Sequence, residues 1–255
     1  MIASLPMYDP APLQDANDAF WALICRNLRM QGMAAPDALT RTGDVWDHWT
    51  DPGLVLSQTC GFPYRARLHG QVTLVGTPDL GVPGCPPGYY CSVFVVHRDD
   101  PRRRLADFDG AVLAYNDPLS QSGWAAPQTE AQLRGLRFVT GPQTGGHALS
   151  SHAVAEGRAE IAALDAVTWA NLQTFDPVCG ALVEIDRTVA TPVLPYITAK
   201  GTDGRLIFAA IAAAIAALPG DKRQRLRLRG IVTIPAERYL AVPVPPAPVQ
   251  AVHVC

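Results

Sequence analysis

Residues 116–124, Asn116-Asp117-Pro118-Leu119-Ser120-Gln121-Ser122-Gly123-Trp124, place short polar groups at one reversal of the chain. They follow an apolar run, Ala111 to Tyr115, that reads as a buried strand, and they lead into a helix from Ala125 to Leu133. A strand that ends in Asx-Pro and then offers two hydroxyls and a glycine at a helix start gathers N–H and O–H donors. The positive end of the helix lies among them. Such a group of donors holds phosphate, sulfate or carboxylate without a cationic side chain. One serine suffices to cap a helix, so Ser120 and Ser122 together exceed what capping requires.

Other residues can be brought to the same chemistry. Gly145-Gly146-His147 opens a second helix, through Glu156, and His147 there is an N–H donor in either charge state. Asp165 ends a strand from Ala159 to Leu164. It either caps the helix Ala166 to Phe175 or faces a ligand, where it favours an amine, and the two roles are compatible. Thr59 and Tyr64 bound a glycine- and proline-bearing turn after the strand Leu54 to Gln58. Tyr8 ends the first strand, and Trp124 and Trp169 lie beside the proposed donors. His147, His152 and Asp165 do not make a metal set, because residues five apart leave one helical face. No Ser-His-Asp spacing or cofactor motif occurs, so the expectation is a binding protein with no metal and no cofactor.

The elements that must position these groups alternate. Expected strands are Ile2 to Met7, Leu39 to Thr42, Leu54 to Gln58, Val72 to Pro78 and Tyr89 to His97. The series continues with the strand before Asn116, then Leu136 to Thr140, Ala159 to Leu164, Ala181 to Ile185 and Tyr196 to Ala199. Helices are expected over Asp15 to Gln31, with Asn27 as a polar slip in its apolar face, over Asp44 to Trp49, and over Leu206 to Leu218. The alternation predicts an α/β protein with mostly parallel sheets, in which ligands sit outside the carboxyl ends of strands. Pro127 is awkward so early in its helix, and predicts a short or bent first turn.

At 255 residues, with 48% hydrophobic and 17% charged residues, the chain can bury a large core in one domain or two lobes. A formal charge of -2 and basic clusters without interleaved aromatics (Arg102 to Arg104, Lys222 to Arg229) argue against nucleic acid. Those clusters read as solvated surface. Met1 to Tyr8 has no basic and long apolar signal pattern. Leu206 to Leu218 is too short to span a bilayer. The six cysteines (25, 60, 85, 91, 179, 255) show no metal spacing and read mostly as buried apolar residues, with pairing of Cys60 to Cys85 or Cys91 left open. The tail Val242 to Val249 is proline-rich and extended.

Three segments together resemble one family. Asp117-Pro118-Leu119-Ser120-Gln121-Ser122-Gly123 is similar to its D-P-x-S-x-S-G turn, and Tyr89 to Val96 to its Y-Y-S-V crossing strand. Gly145-Gly146-His147 with Val154 to Asp165 is similar to its G-S-H…V-A-x-G-x-A-D-x-A-x-x-D segment. The family is the phosphonate/phosphite type of ABC-transporter substrate-binding proteins, with the two-lobed type 2 periplasmic binding fold. The resemblance implies lobe one at 1–92 and 190–255, lobe two at 93–189, and a ligand held between lobes that close by hinge motion. It implies an oxyanion on Ser120, Gln121, Ser122 and the Gly123 amide, reached by His147, with Asn116 opening the turn. Tyr90, with Tyr64 or Thr59, and Tyr8 would cover the anion from lobe one. Asp165 and Trp169 would meet its far end. Two departures remove a hydroxyl: Gln121 in the middle of the serine cluster, and Gly146 where the family has serine. They open the ligand class to carboxylates, sulfonates and larger anions. The expected protein is a monomer that serves an ABC permease in the periplasm. The absent signal pattern keeps the cytoplasm open, and with it a same-fold enzyme acting on a small anionic metabolite or a cytosolic ligand sensor.

Overall fold

The structure, a computed structural model, describes residues 1–249 and divides into two compact units. The first is Met1–Tyr89 with Pro192–Ala241, and the second is Tyr90–Thr191 with the described residues from Val242 onward. The chain therefore passes between units at 89/90, 191/192 and 241/242. The proline-rich tail groups with the second unit, whereas the sequence reading kept it in lobe one.

In the first unit a five-stranded sheet runs in the order Ile2–Ser4, Leu54–Gln58, Tyr196–Ala199, Val72–Asp79, Gly230–Val232. Two helices, Gln14–Met30 and Gly204–Ala217, pack against each other. The alanine- and isoleucine-lined face of the latter (Ile207, Ala210, Ile211, Ala214, Ile215) is buried. Asn27, the polar slip, sits in this contact and donates from Nδ2 to the Ala210 carbonyl at 3.0 Å. A buried amide needs such a partner, so the irregular position in the pattern is a helix–helix hydrogen bond. A core of Trp49, Leu54, Tyr64, Leu68, Val72, Ile197, Ile234 and Tyr239 holds the short helices in place. The Tyr239 hydroxyl donates to Val193 O at 2.8 Å and takes the Thr77 hydroxyl at 2.6 Å.

The second unit carries a five-stranded sheet in the order Val139–Gln143, Val112–Tyr115, Ile161–Asp165, Ser92–His97, Leu182–Arg187. Ile161–Asp165 is wholly buried, as is Ser92 to Val96. The helices Ala126–Leu133, His147–Ala155 and Ala166–Phe175 belong to this unit.

Several expectations need correction. The sheets are mixed rather than mostly parallel. Tyr196–Ala199 is antiparallel to both neighbours, and so is Ser92–His97. These are the strands that follow a passage from one unit to the other, where no helical crossover sets a parallel direction. Leu39 to Thr42 forms no strand, because one bond, Thr40 N–H to Ala3 O at 2.7 Å, is all it shares with the first strand. Tyr89 to His97 is broken at Cys91. The strand expected at Leu136 to Thr140 is Val139–Gln143, at the sheet edge, where Pro142 can lack an N–H. Gly141 belongs to that strand because a Cβ there would press on Leu113 O at 2.6 Å. Among the cysteines, Cys25 and Cys91 are buried while Cys60, Cys85 and Cys179 are half-buried, and Cys255 lies outside the described residues.

Candidate functional site

One edge of the second sheet collects the polar groups. Val112–Tyr115 runs parallel to Val139–Gln143 and to Ile161–Asp165, so all three end at the same edge. Ser92 begins the antiparallel strand directly opposite Asp165. Three chain segments therefore leave this edge toward helix starts at Gln121, His147 and Ala166.

The first of these starts with an Asx turn. The Asp117 carboxylate accepts from Leu119 N–H at 2.7 Å, and Asp117 O accepts from Ser120 N–H at 3.0 Å. Ser120 is then the N-cap, its Oγ accepting from Gly123 N–H at 3.0 Å. Gln121–Ala125 forms a wide π-helical turn, with Ala125 N–H reaching back five residues to Ser120 O at 3.0 Å. The wide turn resolves the difficulty of Pro127, which falls in the first turn of the α-helix that follows, where its missing N–H is tolerated. Gly123 has a packing role. A Cβ there would overlap Asn116 Oδ1 and lie 3.0 Å from Asn116 Cγ and 3.3 Å from His147 Cε1.

The second segment is tied to the first. Thr144 N–H donates to Tyr115 O at 2.8 Å, and Gly145 N–H to Asn116 O at 2.9 Å. The Thr144 hydroxyl lies 2.7 Å from Ser150 Oγ, inside the helix it precedes. This zipper delivers His147 to the turn, where Nε2 lies 2.8 Å from Ser122 Oγ. His147 is half-buried as a residue, and its Nδ1 has no solvent contact and no hydrogen-bond partner among the described residues. Burial pulls the imidazole down to about 4, so it is neutral near pH 7.

Asp165 caps its own helix, Oδ1 accepting from Val167 N–H at 2.7 Å and Thr168 N–H at 3.0 Å. Ser92, which the sequence reading passed over, donates from Oγ to the Ser122 carbonyl at 2.9 Å. It is fully buried at the start of its strand. A serine opening an otherwise apolar strand was the available signal. Trp124 packs on Tyr115 with ring centroids 5.0 Å apart, and its indole N–H donates to Pro246 O at 3.0 Å. Asn116 Oδ1 is buried with no partner among the described residues. Gln121, Tyr90 and Trp169 are buried in this unit.

The structure thus brings together Asn116, Ser120, Ser122, Gly123, Trp124 and His147, with Ser92 added. Tyr8, Thr59 and Tyr64 belong to the first unit. There Tyr8 O accepts from Asn17 Nδ2 at 2.9 Å, Thr59 is fully buried, and Tyr64 packs edge-on against Tyr239 at 5.3 Å. Burial raises the Tyr64 phenol above its ordinary value. Among the described residues there is no group of three or more His, Cys, Asp and Glu side chains able to hold a metal, and no helix long and apolar enough to cross a membrane.

Residues 60–236 match the family model of the ABC transporter phosphonate periplasmic substrate-binding protein, more than half of the chain. The chain belongs to this family. It is a family of binding proteins, not enzymes. The fold agrees. PhnD1 from Prochlorococcus marinus, solved in complex with methylphosphonate, superposes with a TM-score of 0.70 at 16% identity, over 93% of this chain and 94% of that one. XAC2383 from Xanthomonas citri, in its chloride-bound structure, matches with a TM-score of 0.69 at 15% identity, over 94% of both chains. A binding-protein component of an ABC phosphonate transporter from Pseudomonas aeruginosa gives 0.61 at 12% identity, over 91% of this chain and 81% of that one. At these identities the solved structures establish the α/β periplasmic-binding-protein fold with two mixed sheets. No curated protein matches the sequence.

Proposed function

We propose that this family member binds a small oxyanion of the phosphonate or phosphate class at the edge of its second unit and delivers it to an ABC importer in the periplasm. The observation that carries the reading is the Ser122–His147 pair at 2.8 Å, which joins two helix starts at one point. Their first N–H groups and positive ends then act on the same ligand. A neutral imidazole donates or accepts at Nε2 according to its tautomer. With Nε2–H donating to Ser122 Oγ, the serine hydrogen is left to point at an anion. The Ser120 hydroxyl, whose oxygen accepts from Gly123 N–H, likewise keeps its hydrogen for the ligand. Asn116 contributes an amide that can present either its oxygen or its NH2.

The expected ligand therefore carries its charge on an oxyanion and is recognised by neutral donors. Closure of the first unit over the bound anion, bringing Tyr8, Thr59 and Tyr64 toward it, belongs to the same proposal and rests on the family resemblance. In the closed state the ligand gains partners that the open state lacks.

Calorimetry with methylphosphonate tests the site. Each lost hydrogen bond to a charged oxygen is worth about 1.5–3 kcal/mol, so Ser120→Ala with Ser122→Ala should weaken binding by about a hundredfold or more. The loss of the Ser120 cap should lower stability by only about 1 kcal/mol. Unchanged affinity in the double variant would remove the assignment. Solution scattering with and without ligand tests closure through a fall in radius of gyration.

A further inference from the structure

The basic cluster near residue 225 is more than solvated surface. In the first unit a cavity of about 320 Å3 is lined by Arg223, Arg227, Arg229, Gln224, Leu80 and Gly81, among others. Several arginines elsewhere in the protein sit on carboxylates, among them Arg41 on Asp9, Arg102 on Asp100, Arg134 on Asp186 and Arg225 on Asp15. The side chains of Arg223 and Arg229 have no such partner among the described residues. The nearest acid in the strand beside Arg229 is Asp79, and its carboxylate is engaged by Gly81 N–H at 3.0 Å. The Arg223 and Arg229 guanidiniums, on one cavity and without a carboxylate partner among the described residues, repel one another, and an anion placed between them removes that repulsion.

Two local features hold the cluster in place. Gly81 has φ +59, and a Cβ there would overlap the Arg229 guanidinium and lie 2.6 Å from its Cδ, so Arg229 is laid across a position that only glycine leaves open. Arg227 has φ 55, the left-handed region, and is the non-glycine residue with positive φ among those described. That conformation is unfavourable for a bulky side chain. It is imposed between Leu226 and Leu228, both buried, so the turn anchors two leucines and projects the arginine between them.

We infer that this cavity is a second anion site, separate from the one at the edge of the second unit, and that it takes a compact multivalent phosphate-class anion. The forked donors of arginine match phosphate oxygens in pairs. The volume suits a ligand of that size rather than a polymer. No aromatic ring lines the cavity to stack on a base.

Inorganic pyrophosphate, titrated by calorimetry at low and at about 150 mM salt, is the probe. The expected result is saturable binding, tighter than that of orthophosphate. Arg223→Gln with Arg229→Gln should weaken it at least about tenfold, and Ser122→Ala should leave it unchanged. Arg227→Gly is the second variant. It removes a guanidinium and relaxes the positive φ, so the fold is retained while affinity falls. No saturable heat, equal affinity in the arginine variants, or loss of binding in Ser122→Ala would each overturn the inference. The last outcome would place pyrophosphate on the proposed phosphonate site instead.

Discussion

His147→Gln isolates the energetic effect of a buried imidazole. In the folded protein burial holds His147 at about 4, against an ordinary value of 6.5. Below 6.5 the unfolded chain takes up a proton that the folded chain refuses, so the unfolded state binds more protons and stability falls with falling pH. Above about 6.5 both states are neutral and the effect vanishes. Between 6.5 and 4 the difference accumulates at about 1.4 kcal/mol per pH unit, which sums to about 3 kcal/mol. The cause is desolvation alone: Nδ1 is cut off from solvent and has no partner among the described residues to accept a proton's hydrogen bond. The assay is urea unfolding followed by tryptophan fluorescence at pH 7, 6, 5 and 4, on the natural protein and on His147→Gln. Other histidines and the carboxylates titrate in both proteins, so the difference between the two profiles reports His147. The natural protein should lose about 3 kcal/mol relative to the variant as pH falls from 7 to 4. Parallel profiles would refute the reasoning and mean that the folded imidazole accepts its proton freely. If the oxyanion binds beside His147, saturating ligand should shrink the difference, because a bound anion favours the charged ring.

The remaining predictions concern the same edge. Gly123→Ala forces a Cβ into the Asn116 amide and should destabilise by about 1–3 kcal/mol. Adding Asn116→Ala should restore most of that in a double-mutant cycle, and no coupling between the two would mean that the clash lies elsewhere. Gly146→Ser adds a hydroxyl at the N-cap of His147–Ala155, where nothing lies within 4 Å of the new Cβ. It should stabilise by a few tenths of a kcal/mol and tighten methylphosphonate binding, and calorimetry showing weaker binding would count against a ligand at this helix start. A chain ending at Ala241 takes the Pro246 acceptor from the Trp124 indole and opens the ring to water. Its emission should shift to the red, and the shift should vanish in Trp124→Phe; an unmoved spectrum would mean that the tail does not dock there.

Much of this protein follows from local pattern. The helices Gln14–Met30 and Ala166–Phe175 and the strands Leu54–Gln58 and Tyr196–Ala199 stand where periodicity and apolar runs put them: Gln14–Met30 buries the face that its spacing specifies, and the two strands are apolar runs buried almost throughout. The Asp117 to Gly123 turn is equally legible. An Asx residue, a proline, two serines and a glycine have only a few ways to start a helix. Tertiary structure decided what those rules do not reach. Strand direction depended on which strands follow a passage between units, so a pattern that reads as parallel became mixed. The strand at Val139–Gln143 kept its glycine and proline because it lies at an edge beside Leu113, a fact about its neighbours. Asn27 looked like a flaw until Ala210 stood opposite it. At the site the sequence named Ser122 and His147 but could not bring them within 2.8 Å, nor show that Ser92 supports the Ser122 carbonyl. Those contacts span 25 and 30 residues of sequence. They exist because three parallel strands end and one antiparallel strand begins at one sheet edge, where a run of short polar residues becomes a set of donors aimed at one point.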